Sequence, residues 1–212
     1  MSVHSGGILL FRFKNNNLEV MLVHPGGPFW AGKDEGAWSM PKGLFEENES
    51  PLNAAKREFR EETGFGVDGE FIGLGELRLP SRKIVHAWAL EKDLNETKVV
   101  SNAFSLEWPR KSGIVRQYQE IDKAVWFDID QAKRKIQKGQ AGFLDRLTEA
   151  IDYAPKNEVR QGPKDQKGRG SWKDRQSSEA RESRLSEDVN GKDGQGRKDS
   201  SSQLSLTEWL QS

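Results

Sequence analysis

Two apolar, β-rich runs open the chain, at residues 7–13 and 18–24, separated by the turn-forming cluster Lys14-Asn15-Asn16-Asn17. The pattern predicts a hairpin of two buried strands. Trp38-Ser39-Met40 reads as a short strand ahead of Pro41. Ser50-Pro51 pairs an N-cap with a first-turn proline, and predicts a helix that ends at Thr63-Gly64. Residues 71–79 and 83–90 follow as two strands around the Pro80-Ser81 turn, and 124–127 as another. Asp130 is placed as the cap of a helix running to about Lys138, and residues 142–153 as a last helix. Residues 104–119 look long for a connection and mix Trp108-Pro109 with basic side chains, which suits a substrate loop. Strands outnumber interspersed helices and no internal repeat is seen. The expected fold is α+β, an α/β/α sandwich around a mixed sheet.

Composition divides the chain. After Tyr153-Ala154 only nine of the last 58 residues are apolar, too few to offset the entropy of ordering them. Residues 1–154 are expected to form one domain and 155–212 a polar, disordered C-terminal tail. The end of that tail, with Leu204, Leu206, Trp209 and Leu210, suits one amphipathic turn that docks on the domain or on a protein partner. The tail carries twelve Lys/Arg against ten Asp/Glu, and both signs are mixed throughout the chain, so nucleic acid is not an expected partner. The absence of cysteine excludes disulfides, thiolate metal sites and cysteine nucleophiles. No leader and no membrane-length apolar stretch is seen, and the expected location is cytoplasmic.

The chemistry concentrates in residues 43–65, GLFEENESPLNAAKREFREETGF. At about 100 degrees of rotation per residue, Glu58, Glu61 and Glu62 share one helix face, while Ala54, Ala55 and Phe59 point elsewhere toward a core. Stacked like charges repel, so this face costs stability unless cations occupy it. Hard carboxylate oxygens suit Mg²⁺ or Mn²⁺. A glutamate-rich face alone is most often a solvated surface, and the wider pattern decides against that. The segment resembles the Nudix box, G-x5-E-x7-R-E-U-x-E-E-x-G-U with U apolar. Its fixed positions are filled by Gly43, Glu49, Arg57, Glu58, Phe59, Glu61, Glu62, Gly64 and Phe65.

The resemblance implies a Nudix-like sandwich over roughly residues 1–153 and a Nudix hydrolase, in which water attacks phosphorus and displaces a phosphate leaving group. It implies that Glu58, Glu61 and Glu62 are metal ligands, that Arg57 orients a carboxylate, that Glu49 is a supporting acid, and that Gly43 lets backbone approach the metal closely. Family members differ in where the general base lies; Glu120 is the candidate here, with Glu107 a weaker alternative. A binding module that senses a nucleotide without turnover is the rival class, and the intact glutamates argue against it.

The substrate is a nucleotide in this reading. Trp38, Pro41, Lys42 and Gly43 resemble the W-x-x-P-K-G form of the branch that cleaves dinucleoside and inositol polyphosphates, and Lys42 would sit beside a long phosphate chain. Pro80, fifteen residues beyond Phe65, instead resembles a marker of the ADP-ribose-cleaving branch, and Arg82 stands where the dinucleoside branch often has tyrosine. Diadenosine tetraphosphate ranks first, with nucleoside triphosphates, oxidised or ordinary, and ADP-ribose behind it. Trp88 and Trp108 are the leading candidates for base stacking, with Trp30 and Tyr118 also considered. Lys33, Arg78, Lys83, Arg110 and Arg116 are further candidate phosphate contacts.

Overall fold

The computed structural model describes residues 3–45 and 48–154, so the expectations placed on 155–212 lie outside the described residues. The first two strands, β1 (His4–Lys14) and β2 (Asn17–Pro25), pair antiparallel as the hydrophobic pattern requires. Asn15 and Asn16 make their turn at φ 50° and 62°, a conformation that asparagine tolerates better than most residues. After the short β3 (Lys42–Leu44) come α1 (Pro51–Thr63), β4 (Phe71–Arg78) and β5 (Ile84–Glu91). Next are β6 (Ala103–Glu107), β7 (Val115–Gln119), β8 (Ile121–Asp128), α2 (Ile129–Lys135) and α3 (Gly142–Ala150).

The main sheet runs β4-β5-β1-β2-β8, with β3 also pairing on β1. The β1–β5 pair is parallel and the other pairs are antiparallel, so the sheet is mixed. Side chains alternate across a strand, and β1 serves two cores at once. Ile8 and Leu10 join Met21, Ala55, Phe59 and Trp126 on the side of α1. Leu9 and Phe11 join Val20, Leu22, Phe143, Leu144 and Leu147 on the side of α2 and α3. Each fully buried aliphatic or aromatic side chain contributes about 1.5–3 kcal/mol, which makes these two layers the main source of stability. The α+β sandwich with a mixed sheet is the fold observed.

Three local expectations are corrected. Residues 104–119, expected as one long connecting loop, instead hold most of β6 and all of β7, a separate two-stranded sheet whose ladder satisfies the backbone. Trp38-Ser39-Met40 is not a strand, because its backbone turns to different partners in succession, Ile136 beside Trp38 and Val23 beside Ser39. The cap of α2 is Asp128, whose carboxylate accepts the Gln131 N–H at 2.7 Å, and Asp130 lies in the first turn. That helix stops at Lys135 because Ile136 swings to ψ 146° and bridges to Trp38.

Candidate active site

The box helix is fixed at both ends by local chemistry. The Ser50 hydroxyl accepts the Asn53 N–H, Pro51 opens the first turn, and Gly64 closes the helix at φ 78° with its N–H donating to the Arg60 carbonyl. Ala54, Ala55, Phe59 and Thr63 are buried. Packing these side chains on β1 turns the acidic face toward β3.

Arg57 ties the loop, the strand and the helix together. Its guanidinium donates to Glu49 at 2.9 Å, to Glu58 at 2.8 Å, to Glu61 at 3.3 Å and to the Leu44 carbonyl of β3 at 2.8 Å. Burial opposes the charge, but the hydrogen bonds to Glu49 and Glu58 prevail and hold the Arg57 pKa above its ordinary value. Glu49 therefore supports Arg57 rather than facing the cleft. Gly43 gives Glu58 its place: a Cβ there would stand 1.9 Å from the Glu58 carboxylate oxygen and 2.0 Å from its carbon. The carboxylate occupies the volume that any other residue at 43 would fill.

Beside this cradle lies a solvent-open cleft of about 890 Å³, whose lining includes Lys42, Gly43, Glu58, Glu62, Lys83 and Glu120. The Lys42 backbone N–H donates to Glu62 at 2.9 Å, so β3 and α1 are joined at the cleft wall. Burial pushes the Glu62 carboxyl up to about 8 against the attraction of Lys42, with Glu58 and Glu120 adding repulsion. Burial also raises Glu58, against the pull of Arg57 and with repulsion from Glu61. Glu120 is raised first by burial and then by Glu58 and Glu61. Burial lowers the Lys42 ammonium, opposed by Glu62 and reinforced by Lys83. Glutamates and lysines thus crowd one partly dry surface.

Sequence candidates separate clearly on this geometry. Lys42, Gly43, Glu58, Glu62 and Glu120 come together, and Lys83 and Trp30 join them. Glu61 belongs to the Arg57 cluster but does not line the cleft, and its side chain is 43% exposed. Trp88 does not line it either: strand alternation sets Trp88 opposite Val85, and it packs against the α1-side core. Trp108 is held outside the cleft lining by an edge-on contact with Phe29 at 5.1 Å. The Glu107 carboxylate accepts the Gly113 N–H at 2.7 Å and so serves the hairpin turn. Phe104, which the sequence does not single out, also lines the cleft. Its signal was weak, because only the β6–β7 pairing shows where that strand leads.

The donors suit a hard divalent cation. Among the described residues no three acidic or histidine side chains form a ready-made metal cage. Mg²⁺ does not require one, since it typically takes one or two carboxylates and fills its shell with water and substrate phosphate. The mutual repulsion of Glu58, Glu62 and Glu120 is the property that such a cation would relieve.

Comparison with known proteins agrees with this arrangement. Residues 4–147 match the model of the NUDIX domain. An Ap4A hydrolase from C. elegans, solved as a binary complex, is similar at TM-score 0.51 and 17% identity, covering 70% of this chain and 98% of that one. The NUDIX domain of Shewanella oneidensis NrtR, complexed with ADP ribose, is similar at TM-score 0.50 and 15% identity, covering 71% and 89%. At such identities these structures speak for the fold. The family match, which spans more than half of the sequence and contains the whole acidic helix, establishes that the chain belongs to the NUDIX domain family and is a Nudix hydrolase.

Proposed function

We propose that the enzyme uses Mg²⁺, or Mn²⁺ in its place, to hydrolyse a phosphoanhydride bond in a dinucleoside polyphosphate such as diadenosine tetraphosphate. The observation that carries this reading is the cleft itself, which sets Lys42 and Lys83 beside Glu58, Glu62 and Glu120 and adds Trp30 and Phe104 as aromatic walls. Two lysines suit a longer phosphate chain than a single anhydride requires. An aromatic wall suits a nucleobase.

Glu58, Glu61 and Glu62 would hold the metal. Bound there, it would neutralise charge on the phosphoryl oxygens and acidify a water. Arg57 keeps the Glu58 carboxylate oriented, and Gly43 leaves it room. Glu120 orients the attacking water and accepts its proton as the water oxygen bonds to phosphorus and the bond to the leaving phosphate breaks. Its raised pKa suits that exchange, because the base must release the proton again. Lys42 and Lys83 steady the negative charge that the departing phosphate carries away.

ADP-ribose is the second reading, favoured by Pro80: its neighbour Leu79 lines the cleft, so the β4–β5 turn borders the substrate space. Product analysis in ¹⁸O-labelled water separates the two. The full-length protein with Mg²⁺ is offered diadenosine tetraphosphate, ADP-ribose and nucleoside triphosphates. Faster turnover of the tetraphosphate, with label in one product, is the expected result. Preference for ADP-ribose would select the second reading, and nucleotide binding without any turnover would overturn both.

A further inference from the structure

His24, in β2, is buried at 3% exposure. Its two ring nitrogens face two acceptors: Nδ1 is 2.7 Å from the Asp122 carboxylate of β8, and Nε2 is 2.9 Å from the backbone carbonyl of Lys33. Neither acceptor can donate. A neutral ring protonated on Nδ1 would set the Nε2 lone pair against the Lys33 carbonyl, and the other tautomer would set the Nδ1 lone pair against the carboxylate. Only a ring carrying both protons satisfies the geometry.

The two bonds reach segments that meet at the cleft. Lys33 closes the turn that carries Trp30, its N–H donating to the Trp30 carbonyl at 2.9 Å. The Lys33 ammonium also lies over the Trp30 ring, 4.8 Å from its centroid. At the start of that loop, the Gly26 N–H donates to the Glu120 carbonyl at 2.8 Å. Asp122 is two residues beyond Glu120. The Trp38 ring packs edge-on against His24 at 5.1 Å, while its indole N–H donates to Asp34 at 2.9 Å. Asp34 is in turn paired with Lys135 of α2. On β8, Lys123 is the cross-strand partner of His24. The charges around the ring are therefore Asp122 and Lys123 from β8, Asp34 and the Lys33 side chain from the loop, and Lys135 from α2.

We infer that His24 is a positioning residue, an imidazolium that clasps the Trp30 loop to the strand entry beside Glu120 and so sets the width of the nucleotide cleft. The inference deepens the proposed function and rests on it for its kinetic consequence. Without the ring, the Lys33 carbonyl and the Asp122 carboxylate lose the partner that joins them and the loop is released. Substrate affinity then falls, whereas the carboxylates of α1 keep their places.

Two measurements on the full-length protein decide it. In long-range ¹H–¹⁵N correlation spectra, both His24 ring nitrogens are expected to carry protons, one facing Asp122 and one the Lys33 carbonyl. In kinetics on whichever nucleotide is turned over fastest, His24→Gln is expected to raise KM roughly tenfold, as loss of a charge-assisted hydrogen bond implies, with a smaller change in kcat. Asp122→Asn shows the same KM effect and serves if His24→Gln does not fold. A proton-free ring nitrogen in the parent, or a KM left unchanged by both His24→Gln and Asp122→Asn, would overturn the inference. Failure of every nucleotide as substrate would sink the proposed function instead, and the spectra would still decide the state of His24.

Discussion

Two faces of one helix follow opposite rules. The inner face of α1 buries Ala54, Ala55, Phe59 and Thr63, with Ala55 and Phe59 packed in one cluster with Ile8 and Leu10, and this apolar burial favours folding. The outer face holds Glu58 and Glu62 at a partly dry wall where burial and mutual repulsion disfavour their charge. Phe59 is the immediate neighbour of Glu58, so one peptide unit along the chain separates a group that stabilises the fold from one whose charge burial disfavours. The difference teaches that the inner face supplies the stability which lets the outer face carry unfavourable charge.

The strongest way to break this comparison is Glu62→Gln. Turnover should fall by about 10²–10⁴-fold, measured as phosphate or nucleotide release with Mg²⁺, while the metal-free fold stays at least as stable. The pH dependence sharpens it. A carboxyl whose folded pKa is raised to about 8 keeps a proton that the unfolded chain has released. Its stabilisation is therefore present at low pH and lost as pH rises toward 8. Metal-free parent protein should lose urea resistance over that range, and Glu62→Gln should lose less. Glu61→Gln should reduce turnover less than Glu62→Gln does, because Glu61 is more exposed and lies outside the cleft lining.

Phe59→Ala should do the reverse. It should remove about 3–5 kcal/mol of stability in urea titration, with kcat near that of the parent in the fraction still folded. Gly43→Ala tests the cradle between the faces. Its new methyl group displaces the Glu58 carboxylate, so turnover should drop by roughly 10²-fold with the fold intact, whereas an unchanged rate would show that Glu58 need not sit there. Ser50→Ala touches neither face and should cost only about 1 kcal/mol in the same urea titration.

What the sequence disclosed follows the range of each interaction. The β1–β2 hairpin and the caps of α1 rest on neighbours a few residues apart, and those features were legible. The acidic face was legible too, because helical rotation sets it without reference to the rest of the chain. Trp88 shows the limit: alternation sets it opposite Val85 but does not tell which face of the sheet meets the cleft. The cap of α2 lies half a turn before Asp130, because Asp128 carries the same carboxylate and only the Gln131 N–H distinguishes the two. Phe104 depended on a β6–β7 pairing to residues more than ten positions away. The Lys42–Glu62 contact joins residues twenty apart, and its strength comes from burial that no local pattern records.

Gly6 of β1 bears on a separate matter, the permanence of the site's dimensions. A Cβ at Gly6 would come within 2.8 Å of the Pro51 carbonyl oxygen and 2.9 Å of the Ala55 nitrogen, so the first turn of α1 rests on bare strand. The separation of helix and sheet is gauged there by main chain against main chain, with no compressible side chain as a spacer. Methyl groups below Phe59 take no part in that gauge. The carboxylates ride on it at a constant height, and their spacing is inherited from the thickness of the peptide backbone itself.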